Sequence, residues 1–369
     1  DTPSTTGRAE RSEELVSDLR KLLESGYVFP EVCRQPTTHD VAETPARPLH
    51  WDVEFPELLP AEADHSTHAT AAVDVILGNP PYGDVRTESE RVFTEPYTTG
   101  NIAEVSAQFV ERQLQLLADD GYFGNVTTLR LFYQSGLESF HDLLRTELTT
   151  ADVACFGSRP SKLFDNADVR VALLTGHRGE RSRSSGQHGG QIRTSRFRLF
   201  TEATRRERFE TLSYAPTTGL VLRDWIGDGG ENGILPKVGT EIVRGLLCRL
   251  RDGGERRETD GRYRRFCDVY ERDPAAVDGD THSVWRREGV RYWINPMLDE
   301  LYEAREVEPI HFQTERDRHT AFLVLQSSLY AVYWMAYGNQ HHHTWTQLSA
   351  FPWPTRDRIE THGPEIDDL

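Results

Sequence analysis

Val73-Asp74-Val75-Ile76-Leu77-Gly78-Asn79-Pro80-Pro81-Tyr82 is the stretch on which the reading of this chain turns. Five residues, four of them apolar, form a run that suits a buried parallel strand. The run stops at Gly78, and two adjacent prolines then fix the backbone and remove two N–H donors. In a parallel sheet the loop at a strand's carboxyl end is where ligands bind. What the loop offers is acceptors, the Asn79 side-chain oxygen and the Pro80 carbonyl, beside the flat face of Tyr82. Such a set suits an exocyclic amino group. Two fixed acceptors take both N–H hydrogens and push the nitrogen toward tetrahedral geometry, which frees its lone pair. The aromatic face holds a planar base by stacking, worth about 1–3 kcal/mol. A base in a duplex reaches such a loop only after it is flipped out. The plainer alternative is a rigid Asn-Pro-Pro-Tyr turn.

Outward from this stretch the pattern alternates. Helical spacing over 102–118 (Val105, Phe109, Val110, Leu114, Leu117) closes at Gly121 and predicts a helix; Tyr122–Thr127 reads as a strand. Further elements are a helix over 136–148 and strands over 153–156 and 169–175. Strands alternating with helices predict an α/β sheet. Residues 11–26 carry helical spacing through Leu15, Leu19, Leu22 and Leu23. Residues 178–191 are rich in Gly, Ser and Arg and read as a linker. Beyond them aromatics and arginines interleave irregularly until an apolar helix over 320–337, expected to be buried, and an acidic tail from Asp357, expected to be frayed.

The sequence resembles the gamma-type adenine-N6 DNA methyltransferases of the TaqI and Eco57I-like group, and several segments carry the likeness. Asn79-Pro80-Pro81-Tyr82 matches the catalytic motif. His50-Trp51-Asp52-Val53-Glu54-Phe55-Pro56-Glu57 resembles the segment ahead of the catalytic strand. Phe109–Gly124 is similar to a Leu-rich helix and its Gly-Gly turn, with Asp120-Gly121 in place of Gly-Gly. Phe156-Gly157-Ser158 through Lys162-Leu163-Phe164 resembles a later motif whose aromatic closes on the target base, a position that Phe164 matches. Leu325-Gln326-Ser327-Ser328-Leu329 resembles the end of the target-recognition region, where Asn-Ser is the commoner pair. The resemblance implies an α/β fold: a partial Rossmann-like methyltransferase sheet followed by a mixed α+β target-recognition domain. It divides the chain into an upstream tail (1–60), the catalytic part (61–178), a linker (179–190), the DNA-binding part (191–356) and the acidic tail (357–369). It implies S-adenosylmethionine as cofactor, double-stranded DNA as partner, and a place in a restriction-modification or phage-defence system.

One part of the pattern is missing. The Gly-rich cofactor turn of such enzymes belongs upstream of Asn79, and residues 1–78 contain none; Gly227-Asp228-Gly229-Gly230 lies far downstream and reads as a loop. The expectation is a chain supplying strands four to seven of the family's sheet, with the Val73–Leu77 edge exposed. An upstream segment or a separate polypeptide would then supply the cofactor-binding half. A bifunctional restriction-methylation protein fragment and a non-catalytic DNA-specificity subunit or remnant are the alternatives.

The formal net charge is −17 and only three residues are lysine, Lys21, Lys162 and Lys237. Carboxylates with scarce Lys suit the cytoplasm of a halophile, where salt screens self-repulsion. Whole-chain acidity is then a poor guide to DNA binding, and local arginines carry the information. Arg256, Arg257, Arg264 and Arg265 lie among aromatics in the region expected to read DNA, where Arg pairs with phosphates or forks onto guanine. The four cysteines form no CxxC pair, and no metal site is expected. His341-His342-His343 lacks the spacing of one helical face and reads as a surface or DNA-facing loop.

Overall fold

The computed structural model describes residues 73–369 apart from 87–90, 92–93, 165–167, 180–188, 223–224, 226–232, 255, 258–262, 278, 291–293, 299–306 and 340. The expected helix over 11–26, the 50–57 segment, the Gly227–Gly230 loop and most of the 179–190 linker lie outside the described residues.

The apolar run forms strand β1 (Val73–Gly78), followed by helix α1 (Ser106–Leu116) and strand β2 (Leu117–Thr128). Helices α2 (Arg130–Tyr133) and α3 (Glu138–Glu147) lead to β3 (Thr150–Phe156), β4 (Val171–His177) and β5 (Gln191–Arg198). Helix α4 (Arg205–Glu210) and the short β6 (Ala215–Pro216) follow. The six strands form one mixed sheet in the order β1-β2-β4-β3-β5-β6. β1 pairs with β2, and β3 with β5, in parallel; β4 runs antiparallel between β2 and β3. The sheet therefore continues through Gln191–Arg198, past the expected boundary at 179–190.

One face of the sheet packs against α1 and α3, through Val110, Leu114, Phe140 and Leu144 against Phe123, Val153, Cys155 and Leu174. These helices are amphipathic, so their apolar stripes are buried where the strands present alternate apolar residues. The opposite face is covered near β3–β5 by Phe200 and Phe209 around Phe156. It is bare at β1, where Val75 is 58 % and Leu77 80 % exposed. Period-2 alternation sends Ile76 into the core and its two neighbours to the bare face. β1 ends the strand order among the described residues.

The turn inside β2 shows how Asp120 replaces glycine. Pairing with β1 shifts between Val73↔Leu117 and Val75↔Tyr122, and Asp120 in the intervening loop has φ 61°. Asp tolerates this left-handed conformation better than most residues. Its carboxylate also meets His177 Nε2 at 2.8 Å.

The second unit holds helix α5 (Glu241–Asp252) and the antiparallel pair β7 (His282–Arg287) and β8 (Val307–Phe312). It continues with helices α6 (Glu315–Gln326), α7 (Ser328–Tyr337) and α8 (Trp345–Ala350). Their core is aromatic, built on Trp225, Phe266, Tyr330, Tyr333, Trp334, Tyr337 and Trp353. Two expectations differ from the structure here. The single helix over 320–337 is two helices, because the Ser327 side chain accepts from Tyr330 N and starts α7 anew. The tail is folded into α9 (Arg356–Thr361) and α10 (Gly363–Asp367). Burial of Ile366, the His319 Nδ1 contact with Ile366 O (2.8 Å) and the Arg316–Asp367 ion pair hold it. Among the described residues no helix is long and apolar enough to cross a membrane.

Candidate nucleic-acid interface and amino-group site

Asn79-Pro80-Pro81-Tyr82 sits at the carboxyl end of β1, with Pro80 buried and Asn79 exposed. Gly78 leaves room for the side chains beneath it: a Cβ there would lie 2.3 Å from Asn125 Oδ1 and 2.7 Å from Gln113 Nε2, so those amides would have to shift. Tyr82 Oη donates to Asn79 Oδ1 at 2.9 Å. Burial, with Glu104 beside it, raises the phenol's pKa, so the hydroxyl stays protonated as that donor. The two residues expected to act on one base are thus brought together.

The loop is held from behind by a residue that sequence reading passes over. Glu104 is 2 % exposed, and its carboxylate accepts from Gly83 N (2.7 Å), Ser106 Oγ (2.9 Å) and Thr128 Oγ1 (3.2 Å). One side chain thereby joins the residue after Tyr82, the start of α1 and the end of β2. Val105 N returns a bond to Gly83 O at 2.9 Å. A second buried acid, Glu111, accepts from Thr98 N, Thr99 N and Thr99 Oγ1 at 2.7–2.9 Å and fixes the segment that leads into α1.

Tyr82 and Glu104 lie on one wall of a cleft of about 890 Å³ between the two units. Asn339, His341 and Thr344, in the segment between α7 and α8, also line it. Arg130, Arg159, Arg170 and Lys237 also line the cleft. Lys237 is 3 % exposed; its ammonium donates to Ala336 O and Gly338 O, both at 2.9 Å, and sits 3.8 Å from the Tyr133 ring centroid. Burial, with Arg170's charge adding to it and Cys155 opposing, pushes its pKa down to about 7. A faint signal for it exists in the sequence: it is one of three lysines in a chain that otherwise uses Arg.

The other expected residues are placed differently. Phe164 is 40 % exposed and is not part of the cleft wall that carries Tyr82. Arg265, expected to touch DNA, is buried, and its Nε and Nη2 donate to Trp225 O at 3.0 and 2.8 Å. The guanidinium thus lies against the aromatic core and ties it to the Trp225 backbone. Arg257 pairs with Asp268 at 2.8 Å, and Arg256 lies 4.4 Å from the Tyr263 ring centroid with a hydrogen bond to its hydroxyl. Arg264 is half-buried, and its carbonyl accepts from Trp353 N. Of the three histidines, His341 lines the cleft and His342 is exposed. His343 is buried against Tyr330, so the expected surface loop is surface only in part. No group of His, Cys, Asp and Glu suited to a metal ion occurs among the described residues.

The described residues do not make a complete cofactor site. They supply acceptors for an amino group, but no glycine-rich cradle stands beside β1, whose outer edge has no strand partner among them. Asn125 Oδ1, buried under Gly78, also lacks a hydrogen-bond partner.

Residues 10–160 match the family model for the Eco57I restriction-modification methylase, a span that takes in the Asn79–Tyr82 loop and Glu104. That stretch, less than half of the chain, is similar to a restriction-modification methylase by sequence. No curated protein matches the chain. Among solved structures it is similar to the type IIL restriction-modification enzyme MmeI in complex with DNA, at 10 % identity and TM-score 0.37, over 79 % of this chain and 48 % of that one. It is also similar to the type IIG restriction endonuclease BpuSI, at 13 % identity and TM-score 0.31, over 81 % and 49 %. A third is a modification subunit of a putative type I restriction enzyme from Vibrio vulnificus YJ016, at 16 % identity and TM-score 0.28, over 44 % and 36 %. In each case the chain spans less than half of the solved protein.

Proposed function

We propose that this chain is the catalytic and DNA-reading portion of a site-specific DNA methyltransferase that methylates adenine N6, in a restriction-modification or phage-defence system of the cytoplasm. The observation that carries the reading is the Asn79–Tyr82 loop itself: paired acceptors and an aromatic face at a strand's carboxyl end, opening on a cleft large enough for a flipped base. The match to a restriction-modification methylase over residues 10–160 supports it.

In this reading the target adenine is flipped out of the duplex into the cleft. Tyr82 swings from Asn79 to stack on the base, and the freed Asn79 Oδ1 and the Pro80 carbonyl accept the two N6 hydrogens. That draws the nitrogen lone pair out of conjugation and readies it as a nucleophile. Phe164 closes on the base only if its loop moves toward the cleft. The methyl donor, S-adenosylmethionine, is held by a portion docked at the free edge of β1, an upstream segment or a separate polypeptide. The bare Val75 and Leu77 side chains mark where that portion packs, since an unpaired apolar strand edge is otherwise an aggregation hazard.

The test is methyl transfer from labelled S-adenosylmethionine to duplex DNA by the full chain joined to the cofactor-binding portion encoded beside it. Asn79→Ala is expected to lower turnover by at least a hundredfold, and Tyr82→Phe by far less because the stacking face survives. Full activity in Asn79→Ala removes the assignment. Binding of duplex DNA by the full chain, with no methyl transfer under any combination, favours the non-catalytic specificity subunit.

A further inference from the structure

Four cations line the cleft, Arg130, Arg159, Arg170 and Lys237, and the base-binding chemistry uses none of them. Arg170 stands just before β4, and its carbonyl accepts from Leu129 N at 2.9 Å. This places it beside the end of β2, at the same edge of the sheet as Asn79. Its guanidinium forms no ion pair or hydrogen bond with any described residue. Lys237 lines the same cleft and, among the described residues, its ammonium is bonded only to carbonyls and a ring. The acids of the cleft are committed elsewhere. Glu104 holds Gly83, Ser106 and Thr128, and Asp168 faces Arg159 at 3.2 Å and Lys162 at 3.6 Å. Two cations in a half-enclosed site, with no anion among the described residues paired to either, are an unfinished arrangement.

We infer that Arg170 and Lys237 form a seat for one phosphodiester of the DNA backbone, next to the flipped nucleotide. The inference rests on the reading that DNA occupies the cleft. Arg170 supplies a planar fork for two phosphate oxygens, and Lys237 a point charge from the far side. Because Lys237 is tied to the end of α7 through Ala336 and Gly338, a bound phosphate bridges the sheet unit and the second unit. A phosphate contact fixes register without reading sequence, so the seat positions the strand while other groups choose the site. The lowered pKa of both cations agrees with this: burial lowers each, and Arg170's charge adds to the lowering at Lys237. The groups around the ammonium are the carbonyls of Ala336 and Gly338, the Tyr133 ring, Cys155 and Arg170, and a phosphate would add the negative charge that holds it protonated. Binding above pH 7 therefore takes up a proton at Lys237.

The experiment is a fluorescence-anisotropy titration of a labelled random-sequence duplex by the full chain over a range of KCl. Arg170→Gln, Arg170→Lys and wild type are compared. Losing one phosphate contact reduces the slope of log K against log[KCl] by about 0.9. That reduction is expected for Arg170→Gln, with most of the slope regained in Arg170→Lys. Calorimetry in two buffers of different ionisation enthalpy, at about pH 8, is expected to show proton uptake by wild type and less by Arg170→Gln. Because Lys237→Met risks misfolding, the wild-type proton uptake reports on Lys237 without it. An unchanged salt slope in Arg170→Gln overturns the seat, as does a wild-type chain that binds no duplex at low salt. Competition by inorganic phosphate alone, at concentrations that leave the salt slope flat, assigns the seat to a free phosphate and overturns the DNA assignment. An Arg170-dependent slope without any methyl transfer leaves the seat standing and removes only the chemistry; methyl transfer with normal binding in Arg170→Gln does the reverse.

Discussion

Replacing Glu104 by Ala tests whether the Asn79–Tyr82 loop is held in place from behind. The substitution removes three hydrogen bonds at once, from Gly83 N at 2.7 Å, Ser106 Oγ at 2.9 Å and Thr128 Oγ1 at 3.2 Å. The bond from the amide to the carboxylate contributes about 1.5–3 kcal/mol, and each longer hydroxyl bond about 0.5–1 kcal/mol. Relief of the carboxylate's own burial offsets part of this, since a buried charge is costly to desolvate. The expected loss of stability is therefore about 2–4 kcal/mol. Glu104→Gln keeps one acceptor oxygen and is expected to lose about half as much. Urea denaturation followed by tryptophan fluorescence gives the loss as a shift of midpoint at constant slope. Hydrogen exchange locates it, because the Gly83 amide should exchange with solvent much faster in the Ala variant. A loss of less than about 0.5 kcal/mol, within the range of ordinary surface substitutions, would refute the reasoning. So would equal losses in Ala and Gln, because the carboxylate's remaining acceptor would then count for nothing.

Three further outcomes follow from buried charges. Lys237 has a pKa of about 7 in the folded chain and an ordinary value of 10.5, so the unfolded chain binds more protons between those limits. Stability should rise with pH across that window, and the rise should vanish in Lys237→Met, read as the difference between the two denaturation midpoints against pH. His343 is pushed down to about 3 by burial, with Arg286 adding to it, so stability should fall as pH drops from 6.5 toward 3. His343→Asn should flatten that limb; an unchanged acid profile would show that His343 does not titrate this way. Arg178 is buried, bonded to the carbonyls of Leu114, Leu117 and Glu147, and paired with Glu147 at 2.5 Å. Arg178→Met should cost about 3–5 kcal/mol by removing the buried ion pair to Glu147 and the donors to those carbonyls, as measured by chemical denaturation.

The amino-acid sequence by itself determined the local elements. Val73–Tyr82 reads as strand and rigid loop because alternation, glycine and paired prolines act over a few residues, and the structure has β1 and the loop there. The Leu-rich spacing before Gly121 likewise gives α1, and Asp120-Gly121 gives the turn, with Asp120 in the conformation a glycine would take. Arginine is where local reading fails. Arg264 and Arg265 are neighbours in one basic run, yet Arg265 is enclosed by the aromatic core while Arg264 is half-buried. The local pattern does not distinguish them, because the carbonyl that Arg265 bonds belongs to Trp225 and the segment it bridges to is Pro352, both far away in sequence. Strand order was beyond local reading for the same reason: β4 enters between β2 and β3 only because its edges satisfy both at once. The tail folds because Ile366 finds a core supplied by α6, whereas its composition alone reads as solvated. Glu104, Arg170 and Lys237 are ordinary charged residues in the sequence. Only the tertiary structure brought them to one cleft, because desolvation and charge pairing depend on what packs against a side chain and not on what precedes it.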